Sequence, residues 1–194
     1  MKNLIKILYS KIFYAVFLPI TLVAVAPVIA YAEEKPDLSV KQKLAELMMT
    51  DQKFIEKAAK GNLLEIQLSE QALTKSFSTE IKSFAQTIID DHSAVDKGLA
   101  EISGSMGIRV PDGLDSDQKD VMDSIKDLSG SDFDKAYTKR MRADHDDAVS
   151  LFEVGSADTK LNPKLRKFSD KTLPTLRQHK EHAHELDNKI NHNT

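Results

Sequence analysis

The strongest constraint on the fold is a helical period that recurs in four long stretches of the sequence. In each stretch apolar residues return at steps of three and four, and residues that start or stop helices bound it. That spacing places the apolar side chains on one face of an α-helix. No run alternates polar and apolar residues with period two over a useful length, so strands are not indicated. The sequence therefore predicts an all-α fold.

Glycine, proline and capping residues set the predicted helix bounds. The four long helices are expected over Thr50 to about Lys75, Ser78 to Ser103, Ser131 to Ala157 and Asn162 to Ile190. Gly104 and Gly107 end the second helix. Ser131, with Asp134 three residues on, is interpreted as a box-like cap that opens the third. Asparagine followed by proline suits the first turn of the fourth helix.

The lengths of the links predict how the helices are connected. Few residues join the first helix to the second or the third to the fourth, which favours antiparallel neighbours. The link over residues 104–131 is long enough to cross the bundle and includes a shorter predicted helix near Ser116–Leu128. This pattern predicts a ferritin-like four-helix bundle over residues 51–190, with a lead segment at 33–50 and a tail at 191–194.

The first 32 residues have the pattern of a secretory signal peptide. They carry three lysines and no acidic residue, lack any charge over residues 12–32, and end in Ala30-Tyr31-Ala32. Small residues at those positions are what a signal peptidase requires. We expect cleavage after Ala32 and a periplasmic or outer-membrane-associated protein. The alternative is an uncleaved anchor, because the apolar run is long enough to span a bilayer.

Charge and cysteine content exclude several functions. Cleavage would remove three of the 27 basic residues and none of the 30 acidic ones, leaving 162 residues with a net charge of −6. Without a basic stripe, nucleic-acid binding has no electrostatic support. The sequence has no cysteine, which excludes disulfides, a thiol nucleophile and a cysteine-bound metal. No second apolar run is long enough for a membrane span, and the protein partner is left open.

One ionisable residue interrupts the apolar face of each long helix near its middle. These residues are Glu65, His92, His145 and His179. Mid-helix positions lie at a similar height in an antiparallel bundle, so we expect the four side chains to converge. Because a buried charge is costly unless it is paired or ligated, the cluster must satisfy itself. Three imidazoles and a carboxylate fit Zn, Mn or Fe by ligand type. The alternative is a hydrogen-bond network with neutral histidines and a protonated Glu65.

Acidic residues close to this cluster are candidates for orienting the imidazoles from a second layer. Asp91 precedes His92, Asp144 precedes His145, and Glu153 follows on the third helix. Both Asp-His pairs come after an aromatic and an apolar residue at the same offsets, which suggests a weak internal duplication. The alternative is that these acids are solvated. None of the three histidines has a glutamate three residues before it, so a di-iron oxidase site is not indicated.

Five segments also carry a family resemblance. They are FIEKAAKGNLLE at 54–65, FAQxxxDDH at 84–92, YxxxMxxDH at 137–145, AVSLFE at 148–153 and TLPTLxxH at 172–179. Over about Asp51 to Ala183 the chain resembles the bacterial family called domain of unknown function 4142. The resemblance implies export and a ferritin-like fold, and members are often labelled outer-membrane proteins. It implies no substrate or cofactor.

Two functional hypotheses follow from the sequence. The first is a non-enzymatic, exported stress or interaction module of the cell envelope, in which the polar cluster is structural. The second is a ferritin-like protein that binds one transition-metal ion at a mid-bundle site of three histidines and a glutamate, for storage or redox chemistry. No G-x-S-x-G elbow, P-loop or Rossmann glycine pattern is present, so the corresponding enzyme classes are not indicated.

Overall fold

The computed structural model describes residues 49–191, and every regular element in that range is an α-helix. The helices are α1 Asp51–Lys75, α2 Thr79–Met106, α3 Ser116–Ile125, α4 Gly130–Ala157 and α5 Pro163–Asn191. The prediction of an all-α fold is confirmed. The predicted signal peptide, most of the lead segment and the end of the tail lie outside the described residues. No helix within 49–191 combines the length and apolarity needed to cross a membrane.

Local sequence accounts for several helix ends. The Thr50 side chain accepts a hydrogen bond from the backbone N–H of Lys53 at 3.2 Å, and Ser78 does the same for Ile81 at 3.3 Å. Each bond satisfies a backbone donor that the first helical turn leaves free. Gly107 ends α2 with φ at 69°, a left-handed conformation that glycine adopts without a side-chain clash.

Three predicted bounds differ from the structure. The predicted end of the second helix at Ser103 is wrong, because α2 continues through Gly104 to Met106 and ends at Gly107. The predicted box-like cap at Ser131 and Asp134 is wrong: α4 begins at Gly130, after Ser129, which makes no side-chain cap bond. Gly130 has φ at 56°, so the chain turns directly into the helix there, and Asp134 is buried. The helix near Ser116 ends at Ile125, because the chain then tightens into a turn.

Contacts along α1 and α4 show that these helices run antiparallel. Phe54, near the start of α1, packs edge-on against Phe152, near the end of α4, with ring centroids 5.4 Å apart. Ser69, late in α1, and Tyr137, early in α4, bring their hydroxyl oxygens within 2.9 Å. The two helices therefore face each other over most of their length.

The same evidence applies to α2 and α5. Phe84, early in α2, contacts the ring of His182, late in α5, with centroids 4.8 Å apart, while Phe168 of α5 lies against Gly98 of α2. Short links pair α1 with α2 and α4 with α5. The long link from α2 to α4 contains α3, whose Ile125 is buried in the core.

The core is divided into two apolar clusters. One includes Leu64, Leu68, Ile88, Tyr137, Met141 and Ala183. The other includes Phe54, Ala58, Leu99, Val149, Phe152 and Leu176. His92, His145 and His179 each fall where their helix passes from one cluster to the other, and Glu65 lies at the edge of the first. The four ionisable residues thus form a polar layer between two apolar halves.

A substitution at Gly155 tests the close packing of α4 between α1 and α5. A Cβ there would overlap the Phe54 ring and the Ser169 hydroxyl, whereas a Cβ on Gly104, also in the last turns of a helix, would meet nothing. We expect Gly155→Ala to lower the free energy of unfolding by about 1–3 kcal/mol. Gly104→Ala should leave it unchanged or raise it by up to about 1 kcal/mol. Urea denaturation measures both, and equal values would contradict the packing described.

Candidate metal centre

The polar layer brings four buried side chains into mutual contact. Glu65 and His92 are 2 % exposed, His145 0 % and His179 5 %. Glu65 Oε2 lies 3.4 Å from His92 Nδ1 and 3.4 Å from His145 Nε2. His92 Nε2 lies 3.3 Å from His179 Nδ1. The three imidazole centroids are 5.4 to 5.6 Å apart, so the rings surround one small volume.

Hydrogen bonding assigns the proton on His145. Its Nδ1 lies 2.9 Å from the backbone oxygen of Met141, one turn earlier in α4. A carbonyl oxygen only accepts, so Nδ1 must carry the proton in the neutral ring. The lone pair of Nε2 then points toward Glu65.

A chain of hydrogen bonds assigns the proton on His92 in the same way. His179 Nε2 lies 2.8 Å from Asp91 Oδ2 and donates to that carboxylate. Neutral His179 therefore presents the Nδ1 lone pair, which accepts from His92 Nε2–H. This leaves the Nδ1 lone pair of His92 directed at Glu65. Asp91, whose side chain is 44 % exposed, is the outer end of the chain.

Three acceptor atoms therefore converge with too few protons between them. Glu65 Oε2, His92 Nδ1 and His145 Nε2 are buried and have no hydrogen-bond partner among the described residues. A protonated Glu65 could donate to only one of the two nitrogens. The 3.4 Å separations are at the long end of hydrogen-bond distances. These two distances also match the roughly 3.3–3.4 Å edges of a tetrahedron whose metal–ligand bonds are about 2.0–2.1 Å.

Burial keeps the cluster neutral in the absence of a cation. It lowers the pKa of His145 to about 4 and places that of His92 well below its usual range. The pKa of His179 is lowered less strongly, because its hydrogen bond to Asp91 opposes burial. Burial, followed by the charge of Asp144, raises the pKa of Glu65 well above its usual range. Unprotonated imidazoles are the form that binds metals.

The three acidic residues singled out in the sequence have different environments. Asp91 is hydrogen-bonded to His179. Asp144 instead forms an ion pair with Arg140 through two contacts, of 2.7 Å and 2.6 Å, and neither contact involves an imidazole. The prediction that Glu153 lies near the cluster is wrong. Glu153 is half exposed and forms an ion pair with Arg177 at 2.9 Å. It faces away from the core because eight residues after His145 the helix has rotated by about 80° relative to that residue.

Sequence reasoning missed Asn62 and Arg140. Asn62 is 5 % exposed, and its Nδ2 donates to the backbone oxygen of His92 at 2.9 Å, which fixes α1 against α2 at the level of the cluster. Its position one turn before Glu65 on the same helix was the available signal. Arg140 holds Asp144 four residues further along α4, and this spacing of opposite charges on one helix was the available signal.

An all-helical protein with a buried histidine–glutamate layer is the class that these observations define. Residues 37–186 match the family described as Domain of unknown function (DUF4142), and the chain belongs to that family.

Two solved structures share the fold. One is CopM in the Ag-bound form obtained by co-crystallization, with 22% identity, a TM-score of 0.60, and coverage of 74% of this chain and 99% of that chain. The other is CopM in the Cu(II)-bound form, with 21% identity, a TM-score of 0.60, and coverage of 73% and 98%. Likeness at this identity establishes the fold alone. No curated protein matches the chain.

The shifted histidine pKa values predict how stability depends on pH in chelator-treated protein. Between pH 6.5 and about 4 the unfolded chain binds a proton at His145 that the folded chain does not. Stability is therefore lost as pH falls through this window, by on the order of 3 kcal/mol from His145 alone. Glu65 acts in the opposite sense above pH 4.5, because the folded state retains its proton.

Urea denaturation at a series of pH values measures this effect. His145→Gln should flatten the pH dependence by about one proton over the same window. His184→Gln, which changes a partly exposed histidine paired with Asp146, is the matched control. A slope that is the same in the wild type and in His145→Gln would show that His145 does not stay neutral in the fold.

Proposed function

We propose that this protein is an exported, metal-binding helical protein of the cell envelope. One divalent transition-metal ion would be held by His92 Nδ1, His145 Nε2 and Glu65 Oε2. The observation that carries the proposal is the convergence of these three buried acceptor atoms, which have no hydrogen-bond partner within residues 49–191. A cation would satisfy all three at once, and its charge would offset the cost of burying the Glu65 carboxylate.

The remaining polar residues of the layer suit the task of orienting ligands. His179 accepts from His92 Nε2–H and donates to Asp91, so it fixes which nitrogen of His92 faces Glu65. The backbone oxygen of Met141 does the same for His145. Such outer hydrogen bonds orient metal-binding imidazoles and raise their basicity. A second set of ligand atoms is also geometrically close, because His92, His145 and His179 each offer an atom within 4.8 Å of the others.

Ligand chemistry narrows the metal to borderline first-row ions. Two imidazoles and a carboxylate suit Zn, Mn or Fe, and the general order of affinities places Cu(II) above these ions. CopM, which shares the fold, has been crystallised in Ag-bound and Cu(II)-bound forms. The ions bound in those structures support metal binding in a bundle of this shape. Copper and zinc are therefore the first ions to test.

The antiparallel contacts support a ferritin-like arrangement of α1, α2, α4 and α5, with the link that contains α3 as the crossover. We include this arrangement in the proposal because it explains why four mid-helix residues meet at one level. The layer then lies midway along the bundle, which is where bundle proteins place metal sites.

A structural role for the same layer is the second candidate. It is favoured by the raised pKa of Glu65 and the lowered pKa values of the histidines, which leave four neutral groups that hydrogen bonds can partly satisfy. In that case the layer would fix helix register in a non-enzymatic stress or interaction module.

Metal stoichiometry separates the two candidates. Tag-free protein, stripped with chelator and titrated with Cu(II) or Zn(II), should bind one ion tightly. His145→Ala and Glu65→Gln should abolish that stoichiometric binding because each removes a ligand. His179→Ala should keep one ion but weaken binding by roughly 10–100-fold, as for outer-layer residues. His184→Ala should bind like the wild type. Calorimetry and elemental analysis provide the measurements.

The contrary results are distinct. If the wild type binds no ion and chelator leaves its melting temperature unchanged, the layer is structural. If His179→Ala abolishes stoichiometric binding while Glu65→Gln does not, the metal is held by the three histidines and the ligand assignment is wrong.

Export is a separate part of the proposal. The basic start, the apolar run and the Ala30-Tyr31-Ala32 site support a mature protein that begins at Glu33. N-terminal sequencing of protein recovered from the cell envelope should return Glu33. Recovery of the uncleaved chain in the inner membrane would replace the signal peptide with an anchor.

A further inference from the structure

A cavity of about 590 Å³ reaches the polar layer from one side. Glu65 and His92 form part of its wall, whereas His145 and His179 do not line it. Most of its other walls come from α1 and α4, and Val95 of α2, Gln118 of α3 and Leu176 of α5 also line it. We call this space the α1–α4 cavity. Open space therefore approaches the polar layer from the side on which α1 faces α4.

Small residues create this space. Ala58 and Gly61 of α1 and Ala148 of α4 line the cavity at helix positions where larger side chains would fill it. A Cβ added to Gly61 would meet no atom within 4 Å, so glycine is not required there for packing. A helix-interior glycine costs roughly 0.5–1 kcal/mol relative to alanine. Gly61 therefore leaves an opening one turn from Glu65, although packing does not require a glycine at this position.

The net charge of a metal ion and its ligands in the layer indicates which kind of molecule would bind from the cavity. Two neutral imidazoles and one carboxylate around a divalent ion leave one net positive charge in a buried place. Four ligands is the usual number for a borderline ion of this kind, and catalytic or exchangeable sites keep one of them open. A monoanion would fill that position and cancel the charge. The charged residues that line the cavity have both signs, with Lys57, Lys60 and Arg140 beside Asp144 and Asp147, so the metal and not the lining would select the anion.

We propose that the α1–α4 cavity admits a small monoanion to an open coordination position on the metal held by Glu65, His92 and His145, with Gly61 keeping the path clear. This inference rests on the proposed function. It adds that the site exchanges an external ligand, which a purely structural metal would not do.

Azide binding to the Cu(II)-loaded protein tests the inference. Azide that coordinates Cu(II) produces a charge-transfer absorption band, which reports ligation without any assay of activity. We expect this band in the wild type. Gly61→Leu should retain one Cu(II) per chain and slow the appearance of the azide band in stopped-flow mixing by roughly tenfold or more, because the side chain occupies the path. Gly61→Ala, a smaller change into the same open space, should slow azide binding to a lesser degree.

Gly104→Leu is the matched control. Gly104 is also a helical glycine with open space at its Cβ position, and it does not line the α1–α4 cavity. Its variant should load copper and bind azide like the wild type. Thermal melts of all variants verify that each is folded, and copper content verifies that the metal site is intact.

Each other result overturns a defined part of the inference. Full copper loading with no azide band in the wild type would mean that the metal is coordinatively closed, which sinks the inference and leaves metal binding in place. Equal rates of azide binding in wild type, Gly61→Leu and Gly61→Ala would mean that the anion arrives by another route. Failure of the wild type to bind copper or zinc would remove both the inference and the proposed function.

Discussion

The structure depends on a polar layer in its core that has more hydrogen-bond acceptor atoms than protons donated to them. Glu65, His92 and His145 direct three acceptor atoms at one another, and the hydrogen bonds to Met141 and His179 prevent either ring from turning a donor inward. Unsatisfied polar atoms in an apolar interior cost stability that packing must offset. The two apolar clusters on either side supply that packing and hold the rings in place. The fold therefore tolerates the layer, and the same geometry is the basis of the metal binding that we propose.

Helical periodicity was enough to predict the helices and the inward direction of the residues in this layer, because both depend on local spacing. Thr50 and Ser78 act as caps, and α2 ends in a left-handed glycine. The start of α4 could not be predicted in the same way. A glycine at positive φ and a flexible linker glycine look alike in a sequence, so the spacing predicts a cap at Ser131 and Asp134, whereas the helix begins at Gly130.

The site shows where sequence reasoning loses its reach. Asp91 and Asp144 occupy equivalent places in the repeated spacing of α2 and α4, yet one is bonded to an imidazole of α5 and the other to Arg140 of its own helix. Spacing along one helix cannot specify a partner on another. For the same reason it cannot say which nitrogen of His92 faces Glu65, although that choice determines which atoms the proposed metal site would offer. The small residues beside Glu65 were also visible in the sequence, but only packing shows that they leave room.

The exposed end of the hydrogen-bond chain has a consequence of its own. Asp91 would be scored as a surface residue by exposure, yet through His179 it sets the tautomer of His92 at the centre of the protein. Substitution at this half-exposed position would thus be felt in the interior, while the surface around it would look unchanged. Solvent and core are connected here by two imidazole rings. The effect of a substitution on α2 should therefore depend on whether the residue belongs to this hydrogen-bond chain. The buried fraction of a side chain would not predict that effect by itself.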